Sequence, residues 1–594
     1  MKNIKEYLKS IIFSLNYSFR FVPRATWVMV FLYIFSGVLG YGNSFLLGKL
    51  VDVVILSVKT SSSEVWYMII IYAVVSGLPG IISNLQLYVN RRRMVKLQME
   101  IELDIMKQRE KIDIARYEDP RFQDLIQRAF RNGPNPIYQL SNTQFDILRA
   151  VTGLITGTII AIRFDVFVYL IVVIAAIPSF ITDIKFAGQS WSIWSKDSPE
   201  QRRFGDLRQH FIFRIFLIET KLLQSSGKLL SWMRKILADF GEKQLKLEKN
   251  RVWLTSVTDA IALLGLAWGL ILVLKGVVSS QYQVGTFVFM VGVLNSVRAS
   301  ITNLLEMISG QYENNLIVRD MQEFMNTKPI VIESKNPKIL NIKMAPEIIF
   351  ENVSFKYDNS DKLILKKINL ILRAGDNIGL VGNNGAGKTT LVKLLCRIYD
   401  PTEGRIIVNG VDLREISIKE WWSYLAVMLQ DYAGYDFLVK DAIAIGRSDK
   451  PANFTKVVEA AHVSQSHVFI EEWKDKYDQQ LGVEFSGKEP SKGQRQKLSI
   501  AKTLYRDGLV MILDEPTASV DAESESKIFD SIENLPEDRT AILISHDFST
   551  ISACDKIFVL DEGKLIEEGD HKELMSQKGK YAELYNLQAK RFKK

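Results

Sequence analysis

The string Gly382-Asn383-Asn384-Gly385-Ala386-Gly387-Lys388-Thr389 follows a short strand-like run over 376–381 and passes through Thr390 into a helical pattern. Glycines in such a loop let backbone N–H groups close around phosphate oxygens. A lysine at its end adds positive charge beside them, and a hydroxyl at the start of the next helix can reach a divalent cation. The chemistry is phosphate binding, with Lys388 at the β- and γ-phosphates of ATP and Thr389 at Mg²⁺. A second constellation lies downstream, where the run Leu509-Val510-Met511-Ile512-Leu513 ends in Asp514-Glu515-Pro516. Carboxylates at the end of a buried strand suit two tasks. Asp514 suits the Mg²⁺ shell, usually through water, and Glu515 suits a general base that polarises an attacking water. An Asp-Glu pair at a strand end is often a solvated turn, but behind a phosphate loop it reads as the catalytic pair of an ATPase.

Positioning these groups takes a parallel α/β domain. From residue 346 to 594, after a polar linker over 326–345, short β-branched runs alternate with helical ones, which is the pattern of such a domain. Residues 1–325 read differently. Crossing a bilayer takes about 20 largely apolar residues as helix, and the stretches 26–47, 65–89, 145–162, 166–184, 252–274 and 284–308 meet that length or nearly so. Gly37, Gly40, Pro79, Gly80 and Pro178 inside them are common in membrane spans. The fold class is therefore a six-helix, all-α transmembrane domain followed by an α/β P-loop ATPase domain.

Composition agrees with a chain divided in this way. Hydrophobic residues make up 47% of the 594 and charged residues 24%, with a mean hydropathy of +0.05. The net charge of +8 comes from basic residues that flank apolar stretches, which favours membrane orientation over nucleic acid. Three connections are short and carry Lys59, Arg163 and Lys275, whereas those after the second and fourth stretches carry Arg91, Arg92, Arg93, Lys96, Lys107, Arg109 and Lys111, and then Arg202, Arg203, Arg208, Arg214, Lys221 and Lys228. Positive-inside logic places the long loops, both termini and the ATPase domain in the cytosol, of a bacterial-type cell membrane. The long loops read as helices continuing below the bilayer, and residues 1–24 as an amphipathic lead-in. Cys396 and Cys554 lie far apart in the polar half, so reduced thiols are expected.

With these motifs in hand, nearly the whole chain resembles the ATP-binding cassette (ABC) family, specifically its exporter-type half-transporters. The resemblance implies further roles, residue by residue. Tyr357, in Ser354-Phe355-Lys356-Tyr357, matches the aromatic that stacks on adenine, and Gln430 the glutamine that touches the metal and the coupling helices. Ser491-Lys492-Gly493-Gln494, followed by Arg495-Gln496, stands where the family has its signature motif. Asp521, in Ala518-Ser519-Val520-Asp521, matches the D-loop, and His546 the switch histidine that senses the γ-phosphate. Residues 115–120 and 197–202 match the coupling segments, and Gln430-Asp431-Tyr432 is similar to the branch of lantibiotic and other peptide exporters.

The family sandwiches ATP between the P-loop of one chain and the signature helix of another, so the resemblance implies a second half-transporter, with transport of a peptide, lipid or drug-like substrate across the bilayer. The alternative readings are a non-transporting ATP-gated regulator and one half of a heterodimer. The signature motif departs from Leu-Ser-Gly-Gly-Gln by Pro490 and Lys492. Because Ser491 and Gly493 retain the hydroxyl and backbone N–H that reach phosphate in the family, and proline suits the first turn of a helix, an identical partner is the favoured reading. Asp259, Asn295 and Arg298 are polar groups within spans and are read as structural rather than substrate-binding.

Overall fold

The computed structural model describes residues 2–592 except 61–63, 131–132, 194–198, 359, 518, 534–535 and 546. The chain packs as two units, Met1–Ile112 with Pro120–Lys328, and Asp113–Asp119 with Pro329–Lys594.

The described part of the first unit is helical. Among the described residues, five helices are long and apolar enough to cross a bilayer, namely Pro23–Thr60, Glu64–Lys111, Asn135–Phe164, Ser226–Val278 and Val284–Gly310. The stretch expected over 166–184 lies in the helix Val166–Ile193, whose described apolar part is Val166–Ser179. Two helices are far longer than a span. Glu64–Lys111 has 48 residues and Ser226–Val278 has 53. At about 1.5 Å per residue they run about 70–80 Å, against about 30 Å of hydrocarbon. The basic segment over 91–111 thus continues the second apolar stretch without a break, as its periodicity predicts. Pro79 and Pro178 lie inside helices.

Small residues set the helix contacts. A Cβ on Gly48 or on Gly285 would strike the other's carbonyl oxygen, so the helices Pro23–Thr60 and Val284–Gly310 touch through backbone. Beside that contact, Asp52 Oδ1 accepts from Gly285 N–H at 2.6 Å, satisfying one of the N–H groups that a helix start leaves without a partner. Asp259 accepts from Ser179 Oγ at 2.8 Å, and Asn295 donates to its own helix at the carbonyl of Val291, 2.9 Å. Both bonds fit the structural reading of these residues.

The second unit holds two sheets. One has the strand order β10-β9-β3-β8-β7-β6, where β3 is Asn377–Gly382, β6 Leu425–Met428, β7 Val510–Asp514, β8 Thr540–Ile544, β9 Lys556–Asp561 and β10 Lys564–Gly569. The five strands from β9 to β6 are parallel, as the alternating pattern predicts, and β10 is antiparallel to β9. The other sheet is antiparallel, in the order β2-β1-β4-β5, from Leu365–Leu372, Ile348–Phe355, Glu403–Val408 and Val411–Asp412. That second sheet is not part of the sequence expectation, because β-branched runs do not encode pairing direction.

Both faces of the parallel sheet are covered, which is why its strands read as unbroken apolar runs. Along β7, Val510 and Ile512 face a core shared with β1, β2 and the helix Lys388–Leu395. Met511 and Leu513 face a second core with Ile528, Ile551, Leu574 and Tyr581. A third core, around Ile443, Val457, Phe469, Trp473, Leu498 and Tyr505, joins the helices Val439–Ala444, Phe454–Val463, His467–Glu471 and Lys492–Arg506. Cys396 and Cys554 are buried and free, and burial pushes both thiols up to about 12, so they stay as unreactive thiols.

Candidate active site

Strand register brings the chemistry together. Leu380 of β3 and Asp514 of β7 both lie level with Ile544 of β8, the strand between them. The phosphate loop, Glu515 and the residues after β8 therefore emerge along one carboxyl edge, where parallel α/β sheets bind ligands.

The loop itself is shaped by glycine. Gly385 and Gly387 have φ of +79° and +107°, and Gly387 is the N-cap of the helix Lys388–Leu395. A Cβ at Gly387 would also crowd Leu365. Lys388 turns back over the loop and donates to the carbonyls of Gly382 at 2.7 Å and Asn383 at 3.2 Å. Burial lowers its ammonium below the ordinary lysine value, while Glu515 and Asp514 pull it upward. Lys388 is therefore held over the loop as a pre-aimed cation.

A cavity of about 560 Å³ opens over this loop, lined by Tyr357, Ile364, the residues 384–390, Gln430, Asp514 and Glu515. Most of the nucleotide residues expected from the sequence thus share one wall. Tyr357 sits edge-on to Phe355 at 5.0 Å and to Tyr399 at 5.3 Å, and its hydroxyl lies 3.1 Å from Thr390 Oγ1. Thr389 Oγ1 donates to Asp514 Oδ2 at 3.3 Å. This hydroxyl and carboxylate, with Gln430 at the same cavity, form an oxygen donor set of the kind that holds Mg²⁺ through few protein ligands. Gln430 Nε2 donates to Glu515 Oε2 at 3.0 Å. Glu515 has φ of +51°, a left-handed backbone that non-glycine residues rarely adopt, and its N–H is held by the carbonyl of Ile544 at 2.9 Å. Such strain persists where the surroundings over-determine it.

Ser491, Gly493, Gln494 and Asp521 do not line that cavity. Ser491 is the N-cap of the helix Lys492–Arg506 in a full capping box. Its Oγ accepts from Gln494 N–H at 3.2 Å, and its own N–H donates to Gln494 Oε1 at 3.0 Å. Pro490 therefore precedes the cap and is buried, rather than occupying the first turn, and Lys492 is the exposed first helical residue. Asp521 is held below the usual carboxylate range, first by the N–H of Ser524 and then by Lys497. His546 and Ala518 lie outside the described residues.

Two sets of residues lie in or beside segments that the sequence singles out, but their partners were not legible there. Gln496 and Lys497 tie the signature helix to the segment after β7. Glu118, beside the short helix Ile114–Tyr117 that Asp113 caps, meets Lys393 and Tyr399 at 2.5 Å each, and burial, followed by the Glu118 carboxylate, raises the Tyr399 hydroxyl. Asp113 Oδ2 also accepts from the N–H groups of Ile330 and Val331. Helix-start chemistry over 115–120 is the signal that the sequence did offer. The other such segment, 197–202, falls partly outside the described residues, and the helix there runs Pro199–Ile212.

Comparison with known proteins completes the picture. Residues 365–518 match the model of the ABC transporter family. The chain is 24% identical over 544 residues, 91% of its length and 88% of the relative's, to the subtilin transport ATP-binding protein SpaT of Bacillus subtilis. It is 37% identical over 251 residues, 42% of the chain and 40% of the relative, to an ATP-dependent lipid A-core flippase of Syntrophus aciditrophicus. Its fold matches a bacterial Atm1-family ABC exporter with ATP bound, with a TM-score of 0.78, 22% identity, and coverage of 94% of this chain and 99% of that one.

Proposed function

The chain belongs to the ABC transporters, joining an apolar helical unit to the ATPase that hydrolyses ATP, and from that premise we propose how its residues divide the work of an exporter half. ATP enters the cavity with adenine against Tyr357 and its phosphates over 383–390, where Lys388 exchanges the carbonyls of Gly382 and Asn383 for phosphate oxygens. Thr389, with Asp514 and Gln430 next to it, would hold Mg²⁺, which would supply charge neutralisation at the phosphates. Glu515 accepts the proton of the attacking water, held until then by Gln430; the γ-phosphate-sensing role of His546 rests on the family resemblance alone.

One observation carries the two-chain reading: the P-loop cavity is lined without Ser491, Gly493, Gln494 or Asp521. A second chain brings these residues to the phosphates. The capping box uses the Ser491 oxygen as an acceptor and leaves its O–H to donate, and Lys492 is exposed to water. Both features support a working signature and an identical partner. The test is ATPase activity of the purified chain in lipid nanodiscs holding one or two copies. Hydrolysis confined to two-copy discs is expected, and equal rates per chain in one-copy discs sink the shared site.

An apolar cavity of about 710 Å³ in the helical unit, lined by Phe35, Phe45, Ile160, Phe164 and Phe289 with Arg163 as the one charged residue among the described lining, favours an apolar or amphiphilic substrate. ATPase stimulation screened across peptides, lipids and drug-like molecules tests this. Stimulation by hydrophilic solutes alone would overturn it. Charge asymmetry supports cytosolic termini. Cysteines at Ser62 and Ser225, in a background without Cys396 and Cys554, should then label from opposite sides.

A further inference from the structure

Gln496 lies in the second turn of the helix that Ser491 caps and is 3% exposed. Its amide spans two segments. Nε2 donates to the carbonyl oxygen of Glu515 at 3.2 Å, and Oε1 accepts from the N–H of Ser519 at 2.9 Å. A carbonyl can only accept and an N–H can only donate, so one amide orientation satisfies both and the flipped one satisfies neither. Next to it, Lys497 Nζ reaches Asp521 Oδ2 at 3.0 Å and Ser524 Oγ at 2.6 Å. The helix therefore grips the chain between Glu515 and Ser524 from its catalytic end to the start of the helix Ala522–Glu533.

What this grip controls is the Glu515 backbone. Its φ of +51° sets where the carboxylate points, its N–H is tied to Ile544, and its carbonyl is the atom that Gln496 holds. A small displacement of the helix turns that peptide, and a misplacement of about 1 Å at a reacting group costs about 100-fold in rate. The N-cap of the same helix, one turn before Gln496, is Ser491, the residue offered to a partner's nucleotide.

We propose that Gln496 is a positioning residue that joins the two ATP sites of the dimer. Nucleotide seated against Ser491 of a chain is transmitted through this amide to Glu515 of the same chain, which serves the other nucleotide. The inference rests on the shared-site reading above and goes beyond it by naming the wire. Gln496→Leu removes both bonds. Gln496→Glu keeps the acceptor for Ser519 N–H and sets a carboxylate oxygen against the Glu515 carbonyl, so it breaks the catalytic bond alone.

The test uses the full chain in two-copy nanodiscs. Hydrolysis is followed against ATP concentration, and nucleotide binding is measured directly with a fluorescent ATP analogue. Both variants should bind the analogue within about twofold of wild type, lose about 10- to 100-fold in kcat, and show a Hill coefficient fallen to about 1, the value of independent sites. Retained binding also reports that the variant is folded, and if the leucine variant fails that check, the glutamate variant decides. A fall in kcat with cooperativity unchanged overturns the proposal and leaves Gln496 a packing residue, as does wild-type kcat in both variants. A wild-type chain that hydrolyses ATP without cooperativity overturns the coupling, while activity in one-copy discs identifies failure of the shared-site reading itself.

Discussion

In the function proposed above the P-loop and the signature helix both face phosphate, yet they are built on opposite terms. At the P-loop the side chains themselves carry the contact: Lys388 is folded over the loop, Thr389 is joined to Asp514, and the glycines hold backbone that other residues would strain. At the signature helix a capping box and a backbone N–H carry it, and the neighbouring side chains point away or pack beneath. Departures from a family pattern are costly in the first place and cheap in the second. The same Pro490 and Lys492 that look like damage in the sequence therefore leave the capping box of Ser491 and Gln494 intact.

Substitutions that break or sharpen this contrast fall in order of size. Glu515→Gln keeps shape and loses basicity, so turnover should fall about 100- to 10,000-fold while ATP still binds. Phosphate release and direct nucleotide binding measure the two, and steady-state hydrolysis within a few-fold of wild type would sink the general-base assignment. Lys388→Ala removes a charge-assisted contact worth about 1.5–3 kcal/mol, so affinity for ATP should drop about 10- to 100-fold in an equilibrium binding assay. Unchanged affinity counts against the loop reading.

On the other face, Ser491→Ala removes the cap and the phosphate donor together. A lost cap alone costs about 1 kcal/mol, and kcat/KM for ATP should fall about tenfold at least. The paired change Pro490→Leu with Lys492→Gly should move the same quantity by less than about twofold, because neither side chain belongs to the cap. A large gain in the paired variant over an inactive parent would reverse the comparison and point to a heterodimer. The smallest effect belongs to Glu118→Gln. It removes a half-exposed ion pair with Lys393, worth about 0.2–1 kcal/mol, and a thermal melt of the full chain should shift by no more than a few degrees.

Legibility followed the same division. Asp514, Glu515 and the loop were readable because each ends an apolar strand, and strand register then places them on one edge. The antiparallel sheet was not readable, since pairing direction depends on partners distant in sequence. Arginines 91–93 are an instructive case. By charge all three mark a cytosolic loop, but successive residues on a helix point about 100° apart. Arg93 turns inward, fully buried, donating to Ser18, Ser141, Asn90 and Asn142 and lying 4.6 Å from the Phe145 ring. Nothing in the triplet distinguishes the arginine that orients the chain from the one that pins three helices together. The contacts of Gln496 were illegible for a related reason, because its value lies in two backbone groups it touches and not in its own chemistry.

Asp113–Asp119 belongs by packing to the ATPase unit although more than two hundred residues separate it from Pro329. For recombination between half-transporters, this sets a rule of three crossovers, one on each side of the insert and one in the linker. An exchange with a single crossover in the linker would confront Lys393 and Tyr399 with whatever residue the donor carries at the position of Glu118, and the backbone at Ile330 and Val331 with a foreign residue in place of Asp113. Graft success in chimaeras should depend on moving the seven-residue insert along with the larger piece, so the heritable module here is discontinuous and its two parts are constrained to change together.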